Sequence, residues 1–184
     1  MSNSRGVCVV IIGPAGSGKT TVGRRLVEEL PDAVCMRTYT TREPRPGEGP
    51  DGDRVFISRE EFERRRESGE LIEWDEHFGH LYGSSLVTLN DLLDRHRFVV
   101  TNVNYVGARA YQERVPEAVT VFLSVPEDQI RGRIARRGPI SDEDLRARLE
   151  AMKSELASAS GFDYVVENPD GELDRAVGEI AEIA

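Results

Sequence analysis

Lysine is nearly absent from this chain of 184 residues: of 24 basic residues only Lys19 and Lys153 are lysines, and the rest are arginines. Cysteine is scarce too. Its two residues, Cys8 and Cys35, are too few for the disulfide framework of a small secreted protein and favour a reducing compartment. No apolar run approaches the roughly 20 residues of a membrane-spanning helix. Acidic residues outnumber basic ones by 33 to 24, and the net charge of -9 argues against a general nucleic-acid binder.

The overall composition, with 39% hydrophobic and 31% charged residues, is that of one soluble globular unit. The short apolar run near the N-terminus lacks the cleavage site of a signal peptide. We therefore expect a cytoplasmic protein that binds small molecules and contacts neither membranes nor nucleic acids. An acidic surface permits a monomer or a homodimer, and the sequence does not choose between them.

A phosphate-binding candidate is the segment GPAGSGKT at 13–20, which fits the pattern G-x-x-x-x-G-K-[ST]. It follows the apolar run Val7–Ile12, which predicts a strand buried on both faces, and it precedes a helical pattern over 20–30. Glycines let the backbone aim several N–H groups at one anion, and the helix N-terminus adds partial positive charge. Lys19 can reach the β- and γ-phosphate oxygens, and the Thr20 hydroxyl can ligate Mg²⁺. The segment predicts a site for a nucleoside triphosphate with magnesium.

The remaining sequence alternates between short apolar runs and amphipathic stretches. Strands are predicted over 71–74, 80–82, 98–101, 120–124 and 164–167, and helices from Ser58, over 84–93 and 108–114, after Pro126, from Ser141 and around 173–180. The segment 37–54 is rich in glycine and proline, so we expect a strand end followed by an ordered loop there. The alternation predicts a parallel α/β sheet covered by helices, with an insertion over about 37–92.

The insertion carries a candidate site for a second molecule. The chain lacks the N-K-x-D motif with which GTPases read guanine. The alternative reaction is transfer of a phosphoryl group to a second bound molecule, which needs a site of its own. Arg42 and Arg45 lie in the proline-stiffened segment TTREPRPGE, and guanidinium forks match the oxygens of a phosphate monoester. Glu73 can accept two N–H bonds, as the N1–N2 edge of guanine supplies, and Tyr82 and Ser84 offer hydroxyls. Taken singly, each is equally explained as a solvated charge or a core residue.

Over nearly its whole length the chain resembles the guanylate kinases. The matching segments are GPAGSGKTT (13–21), TYTTREPRPGE (38–48), GELIEW (69–74), YGSS (82–85), RIARRG (133–138), ARLEAM (147–152) and DYVVEN (163–168). The resemblance implies a P-loop α/β fold of three layers with a central parallel sheet, an inserted small α/β monophosphate-binding domain and a helical lid. It also implies phosphoryl transfer from ATP, with Mg²⁺, to a nucleoside monophosphate, GMP or dGMP first.

The resemblance also assigns residues to each part of the site. The ATP-binding set is Gly13, Ala15, Gly16, Ser17, Gly18, Lys19, Thr20, Thr21 and Asn168, with Thr20 as metal ligand. The acceptor-binding set is Thr38, Arg42, Arg45, Arg54, Glu73, Tyr82, Ser84 and Asn104. The catalytic set is Lys19, Arg45, Arg133, Arg137 and Arg148. Within one domain, 1–184, we expect a core over about 5–36, 95–127 and 151–184, the monophosphate-binding insert over about 37–92 and the lid over about 128–150.

Three residues depart from the family's pattern. Asn102 and Asn104 stand where the family usually has Asp-x-Asp, whose first carboxylate helps to hold magnesium and whose second helps to recognise guanine. Arg54 stands where a tyrosine usually contacts the acceptor phosphate. An amide lacks the negative charge of a carboxylate and gains hydrogen-bond donors. An alternative function is therefore a kinase with relaxed base recognition that acts on another nucleotide or a ribose phosphate. A non-catalytic interaction module is a further alternative, against which the complete phosphate-loop pattern argues.

Overall fold

The computed structural model of the chain describes residues 5–44, 48, 52–77, 79–136 and 141–184. Its elements in chain order are β1 (Val7–Ile12), α1 (Lys19–Glu29), β2 (Ala33–Cys35), β3 (Thr38–Thr40), β4 (Arg54–Phe56), α2 (Arg59–Glu67), β5 (Leu71–His77), β6 (His80–Ser85), α3 (Leu86–Arg95), β7 (Phe98–Asn102), α4 (Tyr105–Arg114), β8 (Val119–Ser124), α5 (Glu127–Arg136), α6 (Asp142–Ala157), β9 (Tyr164–Glu167) and α7 (Leu173–Ile183). Two residues of the predicted site, Arg45 and Arg137, lie outside the described residues.

The central layer is a parallel sheet with the strand order β2-β7-β1-β8-β9. Its middle strand, β1, is buried from Cys8 onwards, as the apolar run VCVVII predicts. Because parallel neighbours require crossover connections, the carboxyl ends of these strands share one edge of the sheet. The glycine-rich segment, Asn102 and Asn168 follow or end β1, β7 and β9, so they meet at that edge.

Helices cover both faces of this sheet. Val9 and Ile11 pack with apolar residues of α1 and α7 on one face, and Val10 and Ile12 pack with residues of α3 and α4 on the other. This alternation follows from the period of two along a strand. The resulting three layers confirm the predicted α/β fold with a central parallel sheet.

A second sheet, with the order β4-β3-β6-β5, is built from the insertion. β3 pairs with β4 in parallel, and β6 pairs with β3 and β5 in the antiparallel sense. Phe62 of α2 packs with Leu71 and Leu81 to form its small core. Ser58 caps α2 by accepting a hydrogen bond from the Glu61 N–H, which confirms the helix start predicted there.

The helices α5 and α6 pack against each other beside the carboxyl edge of the central sheet. Their shared core contains Val125, Ile130, Ile134, Leu149 and Met152. Ser141 accepts a hydrogen bond from the Asp144 N–H, so α6 begins where its capping pattern predicts. The lid predicted over 128–150 stays a prediction; α6 itself continues beyond 150 to Ala157. Across the described ranges, no helix is both long enough and apolar enough to cross a bilayer.

The structure differs from the sequence predictions in its short and remote pairings. The segment 37–54 contains β3 and the first residue of β4, because residues 38–40 pair in parallel with residues 54–56. The strand β2 was missed because its three residues carry no readable period. In α3, Leu89 and Leu93 pack into the core of the central sheet. The predicted limits of the insertion, about 37–92, stay a prediction.

Candidate active site

The glycine-rich loop between β1 and α1 has the backbone shape of an anion cradle. Gly13, Gly16 and Gly18 have φ angles of +146°, +91° and +97°, a region that residues with a Cβ rarely adopt. Lys19 Nζ donates to the carbonyl oxygens of Gly13 and Pro14, at 2.5 and 3.1 Å. The ammonium group is thereby held against the loop, close to where phosphate oxygens would lie.

The N-terminus of α1 leaves its first N–H groups available to a ligand. Gly18 is the N-cap and makes no side-chain capping bond, and no acidic residue lies in the first turn. These N–H groups have no partner within the helix, and the helix dipole favours an anion there. The buried Ser17 hydroxyl also has no hydrogen-bond partner within the described part of the chain. The loop therefore offers several donors to a phosphate chain.

Asn168 and Arg133 support this loop from β9 and α5. The buried Asn168 amide donates to the Ser17 carbonyl oxygen at 2.8 Å. Arg133 donates to the Asn168 carbonyl oxygen at 2.8 Å and to the Asp170 carboxylate at 2.7 Å. A cavity of about 330 Å³ lies beside them and is lined by Gly16, Gly18, Thr21, Arg133, Arg136, Asn168, Pro169, Asp170, Gly171 and Leu173. Its position next to the loop suits the base and sugar of a nucleotide.

The contact between Gly18 and Asn168 gives a testable prediction. A Cβ at Gly18 would lie 2.6 Å from Asn168 Nδ2, and φ there is +97°. Alanine would be strained in this backbone conformation by about 1–3 kcal/mol, and relief of the strain would move the loop N–H groups that face the phosphates. We therefore expect Gly18→Ala to raise the KM for ATP about tenfold or more. Steady-state kinetics with varied ATP measure the effect. Gly178→Ala is the matched control, since Gly178 lies in α7 with no atom within 4 Å of the added Cβ. An unchanged KM in Gly18→Ala would contradict the tight fit.

A second cavity, of about 380 Å³, has residues of both the loop and the small sheet in its lining; we call it the acceptor cavity, because it is lined by residues predicted to bind the acceptor. It is lined by Lys19, Thr38, Arg54, Glu73, Asp75, Tyr82, Gly83, Asn102, Val103 and Asn104. Lys19 comes from the phosphate loop, whereas Glu73 and Tyr82 come from β5 and β6 of the insertion. The two predicted binding regions therefore share one continuous space.

One part of the lining of this cavity is acidic. Ser84 donates to Glu73 Oε1 at 2.6 Å, and Asn104 Nδ2 donates to Asp75 Oδ2 at 2.9 Å. Burial raises the pKa of the Glu73 carboxyl, the hydrogen bond from Ser84 opposes this rise, and the charge of Asp75 adds to it. Two carboxylates and an amide thus stand where a ligand edge with N–H donors fits.

Lys19 and Arg54 make another part of the lining cationic. Arg54 donates to the Thr38 hydroxyl, and its guanidinium lies 5.6 Å from the centre of the Tyr82 ring. Burial lowers the pKa of Arg54 from its ordinary value, which still leaves it charged at neutral pH. Arg42 forms two hydrogen bonds with Glu48, at 2.6 and 2.7 Å, and does not line the cavity. Its predicted contact with an acceptor phosphate stays a prediction.

Thr20 and Asn102 both line a third, smaller cavity. Thr20, Asp53 and Asn102 are among its lining residues. These side chains offer the oxygen atoms that Mg²⁺ prefers. In its described ranges the structure holds no group of three or more His, Cys, Asp or Glu residues that could bind a metal ion. The donor set fits a magnesium ion that keeps several waters and takes its other ligands from phosphates.

Two acidic residues near the loop were not predicted as site residues. Asp75 lines the acceptor cavity. Glu155 of α6 is half-buried near Lys19; burial raises the pKa of its carboxyl, and the charge of Lys19 partly opposes this rise. Glu155 Oε2 has no hydrogen-bond partner among the residues that the structure describes. The period of two along β5 was a usable signal for Asp75, because Glu73 and Asp75 share a face. Glu155 lies in an acidic helix and carries no such signal.

The remaining predicted residues are placed less directly. Arg133 donates to the Asn168 carbonyl oxygen and to the Asp170 carboxylate, as described above, and does not line the acceptor cavity. Arg148 is exposed on α6 and lines neither cavity, and Ala15 is exposed at the loop. Their predicted roles stay predictions, as do those of Arg45 and Arg137.

Known proteins resemble this chain over nearly all of its length. The sequence model of the family described as guanylate kinase matches residues 5–184. A guanylate kinase of Symbiobacterium thermophilum is 38% identical over 97% of this chain and 84% of its own length. One from Corynebacterium jeikeium is 38% identical over 97% of this chain and 95% of its own. The crystal structure of guanylate kinase from Anaplasma phagocytophilum superposes with a TM-score of 0.74 at 29% identity, covering 100% of this chain and 86% of that one. The chain therefore belongs to the guanylate kinase family.

Proposed function

We propose that this protein transfers the γ-phosphoryl group of ATP to GMP or dGMP. The observation that carries the proposal is the shared cavity, in which Lys19 of the phosphate loop faces the same space as Arg54 and Glu73. A triphosphate bound to the loop and a monophosphate bound in that space would share one cavity, with Lys19 and Arg54 as its cations. The relatives named guanylate kinase support GMP as the acceptor, and they do not favour the alternatives of a ribose phosphate kinase or an interaction module.

The transfer asks the protein for positioning and charge neutralisation. An oxygen of the acceptor phosphate attacks the γ-phosphorus in line, the bond to the β–γ bridging oxygen breaks, and ADP leaves with that electron pair. The second pKa of a phosphate monoester is about 6, so the attacking oxygen is anionic near neutral pH and needs no general base. Lys19 and Arg54 stabilise the negative charge that gathers between the two phosphates. Arg45, Arg133, Arg137 and Arg148 are proposed to complete this cationic shell when the lid closes.

Magnesium belongs to the proposal through Thr20 and Asn102. Both line the smaller cavity, and a hydroxyl and an amide oxygen would hold the ion or its waters. When bound, the ion supplies charge neutralisation on the β- and γ-phosphate oxygens.

A substrate panel tests the proposed function. We expect kcat/KM with ATP as donor to be highest for GMP and dGMP, and lower for IMP, AMP and ribose phosphates. A preference for ribose phosphates would instead identify a sugar phosphate kinase. ATP binding by calorimetry without turnover on any acceptor would identify a binding module, and equal rates across the panel would reject guanine recognition.

The raised pKa of Glu73 predicts opposite pH effects on binding and stability. The ionised carboxylate accepts from the guanine N–H groups, so the KM for GMP should rise as the pH falls through the raised pKa, above the ordinary value of 4.5. The folded state holds this proton more tightly than the unfolded state. Protonation therefore stabilises the fold below the raised pKa, and that contribution is lost as the pH rises through it. KM and melting temperature measured from the ordinary pKa of 4.5 up to neutral pH check both signs. Glu73→Gln should remove the pH dependence that Glu73 contributes to each.

The location and assembly of the protein complete the proposal. A cytoplasmic enzyme of purine nucleotide metabolism fits the two free cysteines, of which Cys8 is buried. Monomer and homodimer are both compatible with the acidic surface, and sedimentation velocity separates them.

A further inference from the structure

The acceptor cavity contains a second carboxylate, that of Asp75, beside Glu73. If Glu73 alone bound the guanine base, this second carboxylate would have no role. Asp75 follows Glu73 by two residues on β5, so both side chains are on the face of the strand that lines the cavity. Trp74, between them, is exposed on the other face. A pair of like charges in one partly buried space is unfavourable, and the charge of Asp75 helps to raise the pKa of Glu73. A ligand edge with several N–H donors relieves this repulsion.

Two hydrogen-bond donors contribute to the orientation of the Asp75 carboxylate. The Glu76 N–H donates to Asp75 Oδ1 at 2.8 Å, and Asn104 Nδ2 donates to Oδ2 at 2.9 Å. Asn104 is itself fixed, because its Oδ1 caps α4 by accepting from the Gly107 N–H at 2.8 Å. An ionised carboxylate has about four acceptor positions, so a carboxylate held in this way can also accept from a ligand.

We infer that Asp75 is a specificity-determining residue that accepts a hydrogen bond from the 2-amino group of the guanine base, with Asn104 as its positioning residue. This inference rests on the proposed function. The guanine edge has an N1–H and two 2-amino hydrogens. Glu73 accepts from N1–H and one amino hydrogen, and the second amino hydrogen points to Asp75. The structure thus assigns the reading of the 2-amino group to two carboxylates on one strand rather than to Glu73 alone.

The test compares GMP with IMP, which lacks only the 2-amino group. The 2-amino group donates to a charged carboxylate, and hydrogen bonds to charged groups are stronger than those between neutral groups. We therefore expect Asp75→Asn to lower kcat/KM for GMP about 10- to 100-fold. The value for IMP and the KM for ATP should stay within about threefold, so the preference for GMP over IMP collapses. A residue that only shapes the fold would change both acceptors alike.

Two further variants make the result decisive. Asp75→Ser removes the same charge without placing two amides side by side, and it answers the question if Asp75→Asn does not fold. Glu76→Gln is the matched control on β5, since Glu76 is exposed and pairs with Arg59 at 3.6 Å outside the cavity. Equal losses with GMP and IMP, or no loss, in a folded Asp75 variant would overturn the inference. Absence of any preference for GMP in the unmodified protein would instead overturn the proposed function.

Discussion

Replacing Lys19 with alanine is expected to lower kcat about 10²- to 10³-fold. The ammonium group is held at 2.5 Å from the Gly13 carbonyl oxygen and lines the cavity between the two predicted phosphate positions. Charge on the transferring group grows in that space, and removal of one such donor typically costs this much in rate. Single-turnover kinetics with saturating ATP and GMP measure the chemical step directly.

The chain supplies its own control for this variant. Lys153 is its only other lysine; it is exposed on α6 and pairs with Glu150 at 3.1 Å. Lys153→Ala removes the same charge from the surface and should leave kcat unchanged within about twofold, because exposed ion pairs contribute little. Equal activities of the two variants would refute a role for Lys19 in the transfer, and matching melting temperatures would show that the loop still folds.

The phosphate loop was predictable because its chemistry is contiguous in sequence. The glycines, Lys19 and Thr20 follow one another, and the apolar runs on either side define a strand and a helix. β1 covers the predicted residues Val7–Ile12, and α1 begins one residue before the predicted range. The caps at Ser58 and Ser141 were readable for the same reason, since each involves a donor only three residues away.

The acceptor cavity was predictable only as a set of residue types. Asp75 and Asn104 are 29 residues apart, and Arg133 and Asp170 are 37 residues apart, so no local pattern indicates either contact. The first depends on the pairing of β5 with β6 and on where α4 starts. The second depends on α5 and β9 meeting at the same edge of the sheet.

The amide at position 104 shows how the tertiary context changes a sequence inference. From the sequence, Asn104 indicates a lost carboxylate and weaker guanine discrimination. In the structure Asn104 caps α4 and donates to Asp75, and the cavity still contains two carboxylates, Glu73 and Asp75. The acidity of the part of the cavity lined by Glu73 and Asp75 therefore does not depend on a carboxylate at position 104.

Glu73→Gln is expected to lower kcat/KM for GMP about 10²- to 10³-fold. The substitution removes the charged acceptor of two N–H groups and turns an amide donor towards the donor edge of guanine, which leaves buried polar groups unpaired. The Ser84 hydroxyl can still donate to the amide oxygen, as it now does to Glu73 Oε1 at 2.6 Å, so the fold is retained. Steady-state kinetics with varied GMP give the loss, and the KM for ATP should not move.

The size of this loss also separates recognition from electrostatics. Glu76→Gln removes a charge from the exposed face of the same strand and should leave kcat/KM for GMP within about threefold. If Glu73→Gln behaved like that control, guanine would have to be read elsewhere in the cavity. If both fell together, the net charge of β5 would matter more than the contact. A loss confined to Glu73→Gln indicates that the Glu73 carboxylate contacts the base. Two N–H donors, one from the glutamine amide and one from guanine, oppose each other only at hydrogen-bond distance.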